Sequence, residues 1–260
     1  MADIEQAAAR IRPYAHLTPV LTSSALNERT GAQLFFKCEN FQKVGAFKFR
    51  GAANAVFSLS HAEAGPGAAT HSSGNHAQAL ALAARLRGIP AHIVMPDNSP
   101  KVKVEAVKGY GGRILFCRPT QEEREWTLAE VVRETGAVFI HPYDNPRVIA
   151  GQATAARELL AEVRGLDLLL APVGGGGLAS GTALAARYLS PATRVVAVEP
   201  AGADDAQRSL REGKIVPSLN PRTVADGLRT SLGRLTFPIL RALLAEVVTV
   251  SEEGIVAAMR

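Results

Sequence analysis

Cysteine is nearly absent from this sequence: Cys38 and Cys117 are the only two among 260 residues. Both lie in apolar runs, LFFKCEN and RILFC, where a thiol is usually a buried core residue. Two such cysteines provide neither a disulfide framework nor the ligand spacing of a zinc site. We therefore expect a protein of a reducing compartment, the cytoplasm.

Long apolar runs are also lacking, and aromatic residues make up only 5% of the chain. No run approaches the roughly 20 residues that a membrane-spanning helix needs, and the start MADIEQAAARIRPY does not resemble a signal peptide. The net charge is a mild +5, and the lysines of PKVKVEAVKGYGGR lack the interleaved aromatic residues of single-strand readers. We expect no membrane and no nucleic acid partner, whereas a small anionic ligand is compatible with this charge.

Short β-branched segments alternate with alanine- and leucine-rich segments of helical periodicity, several of which end in glycine. This order, with apolar strands, predicts an α/β fold of parallel sheets covered by helices on both faces. The predicted strands are QLFFKCE, GAAT, AHIVM, RILFC, AVFIH, LDLLLAPV, RVVAVEP and EVVTVS. The predicted helices are NHAQALALAARLRG, KVKVEAVKGYG, EEREWTLAEVVRETG, RVIAGQATAARELLAEVRG and LASGTALAARYL.

Two breaks are rich in turn-forming residues: SHAEAGPG at 60–67 and HPYDNP at 141–146. They predict a smaller domain over 59–144, inserted into a larger one made of 1–58 and 145–260. At the end of the chain, Ser251 has the pattern of a helix N-cap with acids in the first turn. The helix stops about nine residues in, so we expect a further C-terminal segment in the natural protein.

Four consecutive glycines, Gly174 to Gly177, separate a buried strand from a helix in DLLLAPVGGGGLASG. Glycines let the backbone approach a ligand closely, and a helix N-terminus offers free N–H groups to an anion, which predicts a phosphate site. The same segment satisfies G-x-G-x-x-A through Ala179, with Glu199 about 20 residues on. Taken alone, it also fits an NAD-dependent dehydrogenase.

A second strand–loop–helix segment, THSSGNHAQAL, places Ser72, Ser73, Gly74 and Asn75 at a helix start. Hydroxyl, amide and backbone N–H donors in such a loop suit a carboxylate. An ordinary N-cap would explain one or two of these residues but not all four. For His76 alone, a capping or structural role is the simpler interpretation.

Lys48 lies between Phe47 and Phe49 at the predicted start of another helix. Desolvation lowers the pKa of a lysine and makes its amine available for Schiff-base chemistry. A buried lysine, a phosphate loop and a carboxylate loop together describe a pyridoxal phosphate site that acts on an amino acid. A dehydrogenase has no use for that lysine and serine loop.

The motifs GAFKFRGA, HSSGNHAQAL, HPYDNPRVIAGQ, APVGGGGLASG and EPAGADD resemble, in order, those of the fold-type II pyridoxal phosphate enzymes. The branch it resembles contains serine racemase, serine/threonine dehydratase and threo-3-hydroxyaspartate dehydratase. The resemblance extends from about LTPVLTSS to residue 260. It implies two three-layer αβα domains with parallel sheets, like the tryptophan synthase β subunit, with the cofactor between them, and a homodimer.

Further roles follow from the resemblance alone. Lys48 would bind the cofactor aldehyde and remove the Cα proton of the substrate, while Ser73 would face the opposite side of Cα and permit racemisation. Cofactor contacts are implied for Phe47, Lys48, Asn75, Gly174, Gly175, Gly176 and Gly177. Substrate contacts are implied for Ser72, Ser73, Asn75, His76 and Arg124, although an exposed helix arginine is an equally simple interpretation of Arg124.

A divalent cation (Mg, Mn or Ca) is also implied, with Glu199, the Ala203 carbonyl and Asp205 as ligands. Hard oxygen donors suit such ions, although the residues alone would fit a surface acidic turn. Some relatives bind a nucleotide between subunits, and this possibility stays open. Ser23, Ser24, Lys43 and Gln78 match part of that site, whereas Val44 departs from it.

The expected activity is β-elimination from L-serine or L-threonine to a 2-oxo acid and ammonia, with possible serine racemisation. A 3-hydroxyaspartate dehydratase is an alternative within the family. The serine of the family's final Ser-Gly-Gly-Asn-like turn contacts the ring nitrogen of the cofactor, and that turn is absent from these 260 residues. Outside the family, the alternatives are the NAD-dependent dehydrogenase and a non-catalytic amino-acid-binding pseudoenzyme.

Overall fold

A computed structural model describes residues 1–72 and 74–260. Within this part of the chain, two parallel sheets and one short antiparallel pair are present. The strands are β1 Val20–Leu21, β2 Phe36–Lys37, β3 Ala68–His71, β4 Ala91–Pro96, β5 Arg113–Cys117, β6 Val138–Phe139, β7 Leu168–Pro172, β8 Arg194–Pro200 and β9 Glu246–Val250.

The helices begin where their sequences supply caps: Thr120, Asn145 and Ser251 each accept hydrogen bonds from the first turn that follows. Left-handed glycines end several others, as Gly88 does. The helices are α1 Ala2–Ile11, α2 Ser24–Thr30, α3 Lys48–Phe57, α4 His61–Ala64, α5 Asn75–Arg87, α6 Lys101–Gly109, α7 Gln121–Thr135, α8 Pro146–Glu162, α9 Gly177–Leu189, α10 Asp205–Glu212, α11 Thr236–Leu243 and α12 Glu252–Met259.

The first sheet has the order β5-β4-β3-β6, and all of its neighbouring strands are parallel. Helix α5 packs against β3 and β4 and also against α3, while α7 packs against β3, β4 and β5. The core between them is built largely from alanines with a few larger residues, such as Leu80, Ile93 and Met95, which are fully buried. Small side chains allow the helices to lie close to the sheet.

The second sheet has the order β7-β8-β9 and is also parallel. Helix α9 packs on β7 and β8 and contacts α8 and α11. The loops that follow β7 and β8 therefore leave the sheet at the same edge, where ligands of parallel α/β proteins bind. The glycine loop lies between β7 and α9 at that edge.

Helices α3, α8 and α9 pack at very short range because glycines face their neighbours. A Cβ atom on Gly151 would lie 2.6 Å from the Arg50 carbonyl oxygen and from the Gly51 Cα, and one on Gly181 would lie 2.7 Å from the Ala153 nitrogen. Such contacts leave no room for a side chain. The helix that begins with Lys48 is thus joined through α8 to the helix that follows the glycine loop.

Arg50 is fully buried and lies two residues after Lys48. Its guanidinium donates to Glu39 at 2.8 Å and to Glu158 at 2.7 Å, and Lys37 pairs with Glu158 at 2.7 Å. Burial opposes the charge, but the hydrogen bonds to both carboxylates outweigh it and raise the pKa of Arg50. This network fixes α3 against α8 and the 39–41 turn.

The predicted alternation of strands and helices is confirmed, with one difference. The segment QLFFKCE forms only the two-residue strand β2, which pairs antiparallel with β1 and belongs to neither parallel sheet. The two parallel sheets lie on opposite sides of the HPYDNP turn in sequence, while the domain boundaries of 59–144 and of 1–58 with 145–260 stay a prediction. Across the described residues, no helix combines the length and apolarity that a membrane crossing requires.

Candidate active site

Lys48 is the first residue of α3, and its side chain reaches the turn that follows β6. Its Nζ donates a hydrogen bond to the Pro142 carbonyl oxygen at 2.9 Å and lies 5.3 Å from the centre of the Phe47 ring. The side chain keeps some exposure, yet its amine is surrounded by protein. Burial lowers the pKa of Lys48 to about 8, which greatly increases the neutral, nucleophilic fraction at neutral pH.

Two histidines lie close enough to Lys48 for its charge to act on them. The Nε2 atom of His76 lies 3.1 Å from the Ile140 carbonyl oxygen, so it carries the proton and Nδ1 is an acceptor. Burial, followed by the charge of Lys48, lowers the pKa of His76 to about 3. The pKa of His141 is lowered to about 4, chiefly by burial. Both rings are therefore neutral at physiological pH.

The glycine loop is fully buried, from Gly174 to Gly177. Gly176 has φ of +89° and caps α9, a conformation that favours glycine. Outside the regular elements, none of the four loop N–H groups donates to a described residue. The backbone thus presents free donors at a helix start, as a phosphate site requires.

Neighbouring groups hold the loop so tightly that no side chain would fit. A Cβ on Gly175 would lie 2.3 Å from the Tyr143 ring, and one on Gly174 would lie 3.0 Å from the Leu228 Cα. Thr236 donates its hydroxyl proton to the Gly175 carbonyl oxygen at 2.8 Å. The loop is therefore a rigid cradle before any ligand arrives.

Tyr143, which sequence reasoning did not single out, lies between the lysine and this cradle. Its ring centre is 6.0 Å from Lys48 Nζ, and it packs edge-on against His141 at 4.5 Å. Burial, followed by the charge of Asp144, raises the pKa of the Tyr143 hydroxyl to about 12, so it remains a donor. The HPYDNP motif contains this residue, but its turn-forming neighbours indicate only a turn.

The second loop connects β3 to α5. Ser72 is half-buried, and its hydroxyl accepts a hydrogen bond from Gly74 N at 3.3 Å. Asn75, the first residue of α5, is exposed, whereas His76 turns its side chain into the core. The predicted catalytic Ser73 lies outside the described residues.

Arg124 lies in the second turn of α7. Its positive charge contributes to lowering the pKa of His71, the residue that precedes Ser72, although burial has the larger effect. The Nε atom of Arg124 is buried and has no partner among the described residues. A cation with a free donor is therefore present beside the serine loop.

The predicted cation ligands Glu199, Ala203 and Asp205 are all buried around the start of α10. Glu199 accepts backbone hydrogen bonds from Ala206 at 3.1 Å and Gln207 at 2.7 Å, while Asp205 Oδ2 is buried without a described partner. Burial raises the pKa of Glu199 to about 7 and that of Asp205 to about 6. In the described part of the chain, no cluster of three or more acidic, histidine or cysteine side chains could hold a metal.

The residues that matched part of a nucleotide site lie near the N-terminal turns. The Ser23 hydroxyl caps α2, and Ser24 begins that helix and is exposed. Lys43 belongs to the 43–45 turn, which packs against α5, the helix that carries Gln78. These positions stay a prediction of the sequence.

A family model described as pyridoxal-phosphate dependent enzyme matches residues 11–260. The chain belongs to this family. It is 54% identical over 258 residues to a β-hydroxyaspartate dehydratase of Paracoccus denitrificans, covering 99% of this chain and 82% of that protein.

Solved structures give the same assignment. Maize serine racemase matches with a TM-score of 0.98 at 51% identity, over 99% of this chain and 78% of that one. A bacterial threonine deaminase, from T.th., matches with a TM-score of 0.94 at 45% identity, over 99% of this chain and 84% of that one. The expected fold-type II architecture is confirmed, and the family match includes the glycine loop that in isolation also fits a dinucleotide fold.

The described residues fit pyridoxal phosphate. Lys48 offers a buried amine with a lowered pKa, and Gly174 to Gly177 form a cradle of free N–H groups whose space a Cβ would fill. They also fit a hard cation, because a buried Asp205 oxygen without a partner lies among oxygen donors. The lysine, glycine loop and serine loop are the three parts that the sequence predicted.

Proposed function

We propose that this protein removes water from a β-hydroxy-α-amino acid, L-serine or L-threonine, and releases a 2-oxo acid and ammonia. The single observation that carries this proposal is Lys48, a buried lysine with a pKa of about 8, positioned between a phosphate cradle and a carboxylate loop. When bound, pyridoxal phosphate withdraws electrons from the Cα atom of the amino acid and so makes its proton removable.

The residues of this chain supply the remaining functions. The neutral amine of Lys48 accepts the Cα proton, since its lowered pKa lies near neutral pH. His76 and His141 stay neutral and add no positive charge that would lower the basicity of that amine further. Loss of the β-hydroxyl as water leaves an enamine, whose tautomerisation and hydrolysis give the 2-oxo acid and ammonia.

The substrate carboxylate would lie at the serine loop. Gly74 and Asn75 present backbone N–H groups at the start of α5, and Arg124 supplies a positive charge beside β3. Ser72 contributes a hydroxyl at the same place. Ser73, opposite Lys48 in the sequence prediction, would permit serine racemisation as a second outcome.

Dehydration of 3-hydroxyaspartate is a second candidate, because the relative from Paracoccus denitrificans carries the name β-hydroxyaspartate dehydratase. We further propose that Glu199, Ala203 and Asp205 bind a divalent cation that stabilises the α10 region. A homodimer is proposed from the exposed apolar residues of the N-terminal region, which water would otherwise contact: Leu17, Leu21, Leu26, Phe36 and Phe41.

The test compares products from one preparation of the protein loaded with pyridoxal phosphate. Pyruvate from L-serine, 2-oxobutanoate from L-threonine, oxaloacetate from 3-hydroxyaspartate and D-serine from L-serine are measured at equal substrate concentrations. We expect 2-oxo acid and ammonia in equal amounts, and no product from Lys48→Ala. Cofactor binding without any of these products would contradict the proposal and favour a non-catalytic binding protein.

A further inference from the structure

Asp144 connects the turn after β6 to a distant part of the chain. Its carboxylate accepts three backbone hydrogen bonds, from Arg234 N at 3.0 Å, Leu235 N at 2.8 Å and Thr236 N at 3.3 Å. These N–H groups belong to the start of α11, which has no side-chain cap of its own. A residue about 90 positions away therefore acts as the N-cap of this helix.

The packing at this junction is tight. A Cβ on Gly233 would lie 2.1 Å from an Asp144 carboxylate oxygen, so only glycine allows this approach. Gly233 N in turn donates to the Thr236 hydroxyl oxygen at 2.8 Å. The position of Asp144 thus fixes the position of Thr236, a fully buried residue.

Thr236 passes this constraint to the glycine loop. Its hydroxyl donates to the Gly175 carbonyl oxygen at 2.8 Å, and a Cβ on Gly176 would lie 2.8 Å from the Thr236 side chain. The loop cannot shift by a side-chain width without moving Thr236. The phosphate cradle is therefore held by α11.

On its other side, Asp144 is joined to Lys48. The Asp144 N–H donates to His141 Nδ1 at 2.9 Å, which closes the turn over residues 141–144. The carbonyl of Pro142, inside that turn, accepts the hydrogen bond of Lys48 Nζ at 2.9 Å. A continuous series of contacts thus leads from the amine through Asp144 and Thr236 to the cradle.

We propose that Asp144 is a positioning residue that sets the separation of the Lys48 amine from the glycine loop. The cofactor must reach both groups at once, with its aldehyde at one and its phosphate at the other. When two contacts are made by one rigid molecule, their spacing decides how much the second contact adds to the affinity. The inference rests on the cofactor site of the proposed function, but it does not depend on the substrate.

Three ligands separate positioning from local damage. Pyridoxal has the aldehyde without the phosphate, inorganic phosphate has only the other end, and pyridoxal phosphate has both. Their dissociation constants are measured on the cofactor-free 260-residue chain, by absorbance for the two aldehydes and by calorimetry for phosphate. In Asp144→Asn, one carboxylate oxygen becomes an NH₂ group that faces a backbone N–H donor, so the turn and α11 separate.

For Asp144→Asn we expect the affinity for pyridoxal phosphate to fall about tenfold or more, while pyridoxal and inorganic phosphate each change less than about threefold. Ser60→Ala, which removes the cap of α4 away from these contacts, is the control and should leave all three affinities unchanged. Equal weakening of all three ligands, or an unchanged affinity for pyridoxal phosphate, would overturn the proposal.

If Asp144→Asn does not fold, a second pair of variants decides. Thr236→Val removes the hydroxyl that holds Gly175 but keeps the shape, and Thr236→Ser retains the hydroxyl. We expect the valine variant to lose affinity for pyridoxal phosphate selectively and the serine variant to match the wild type; identical behaviour of the two would overturn the proposal. Failure of the proposed function would be separate: the binding pattern would persist without turnover of any amino acid.

Discussion

The two helix-start loops of the site differ in how firmly the protein holds them. Gly174 to Gly177 are fully buried, and Tyr143, Leu228 and Thr236 leave no space beside them. In the serine loop, Asn75 is exposed, and a Cβ on Gly74 would meet no described atom within 4 Å. One loop is a prebuilt cradle and the other has room around it.

This difference follows the chemistry that each loop is proposed to perform. A phosphate has one shape and stays bound through every turnover, so a rigid donor set needs no reorganisation. Substrates come and go and vary in their side chains, so free space near their carboxylate is an advantage. Relatives with different printed activities, a β-hydroxyaspartate dehydratase and serine racemases, are compatible with one cofactor site and an adjustable substrate side.

Glycine substitutions in the two loops should break the comparison most strongly. Gly175→Ala forces a methyl group to within 2.3 Å of the Tyr143 ring, so the cradle must distort. The loss of two or more charge-assisted hydrogen bonds predicts an affinity for pyridoxal phosphate more than about a hundredfold weaker, measured by absorbance titration. Gly74→Ala is the matched variant, and equal effects of both substitutions would refute the contrast.

The pKa of Lys48 gives a prediction of similar size for the fixed side of the site. A neutral amine is the reactive form, so the rate at which a trace acylating reagent modifies Lys48 should rise about tenfold per pH unit up to about 8 and then level off. At pH 7 the neutral fraction exceeds that of an ordinary lysine by about a hundredfold. Mass spectrometry of the modified peptide follows this rate; a rise that continues to about pH 10, the range of an ordinary lysine, would exclude the lowered pKa.

On the substrate side, Arg124→Gln should raise KM for the amino acid and leave the affinity for pyridoxal phosphate unchanged. Loss of a charge-assisted hydrogen bond predicts about a tenfold to hundredfold lower kcat/KM. Arg133→Gln, on the same helix but exposed and paired with Glu130, is the control and should keep full activity. Weaker cofactor binding in the Arg124 variant would place this residue on the wrong side of the comparison.

The smallest effect concerns the proposed cation. Magnesium or calcium at about a hundred times its dissociation constant would stabilise the chain by about 2.7 kcal/mol, which corresponds to a rise of about 5–10 °C in Tm. Asp205→Asn should abolish this rise, whereas Asp204→Asn, whose carboxylate binds Arg208, should retain it. Calorimetric scans with and without the cation measure both, and equal shifts in the two variants would contradict the assignment.

Much of this architecture was predictable because the signals are local. Apolar strands, alanine-rich helices and the run of glycines each determine their own segment, and the structure places Lys48 at the predicted helix start. The shortening of QLFFKCE to a two-residue strand was not predictable, because β2 depends on pairing with β1, a contact that no periodicity shows.

The connections between loops were also beyond local patterns. Asp144 meets α11 across about 90 residues, and Thr236 meets Gly175 across 61. Tyr143 becomes important only because the fold lays its ring on Gly175. Such contacts depend on tertiary structure, and the sequence marks them only as polar residues in a turn.

The central claim is that Lys48 carries the cofactor. Borohydride reduction of the protein loaded with pyridoxal phosphate, followed by peptide mass mapping, tests it directly, because reduction makes the bond between amine and cofactor permanent. We expect one equivalent of the cofactor on the peptide that contains Lys48, and none in Lys48→Ala. A label on Lys43 or Lys37 instead, or no label in the wild-type protein, would contradict the account.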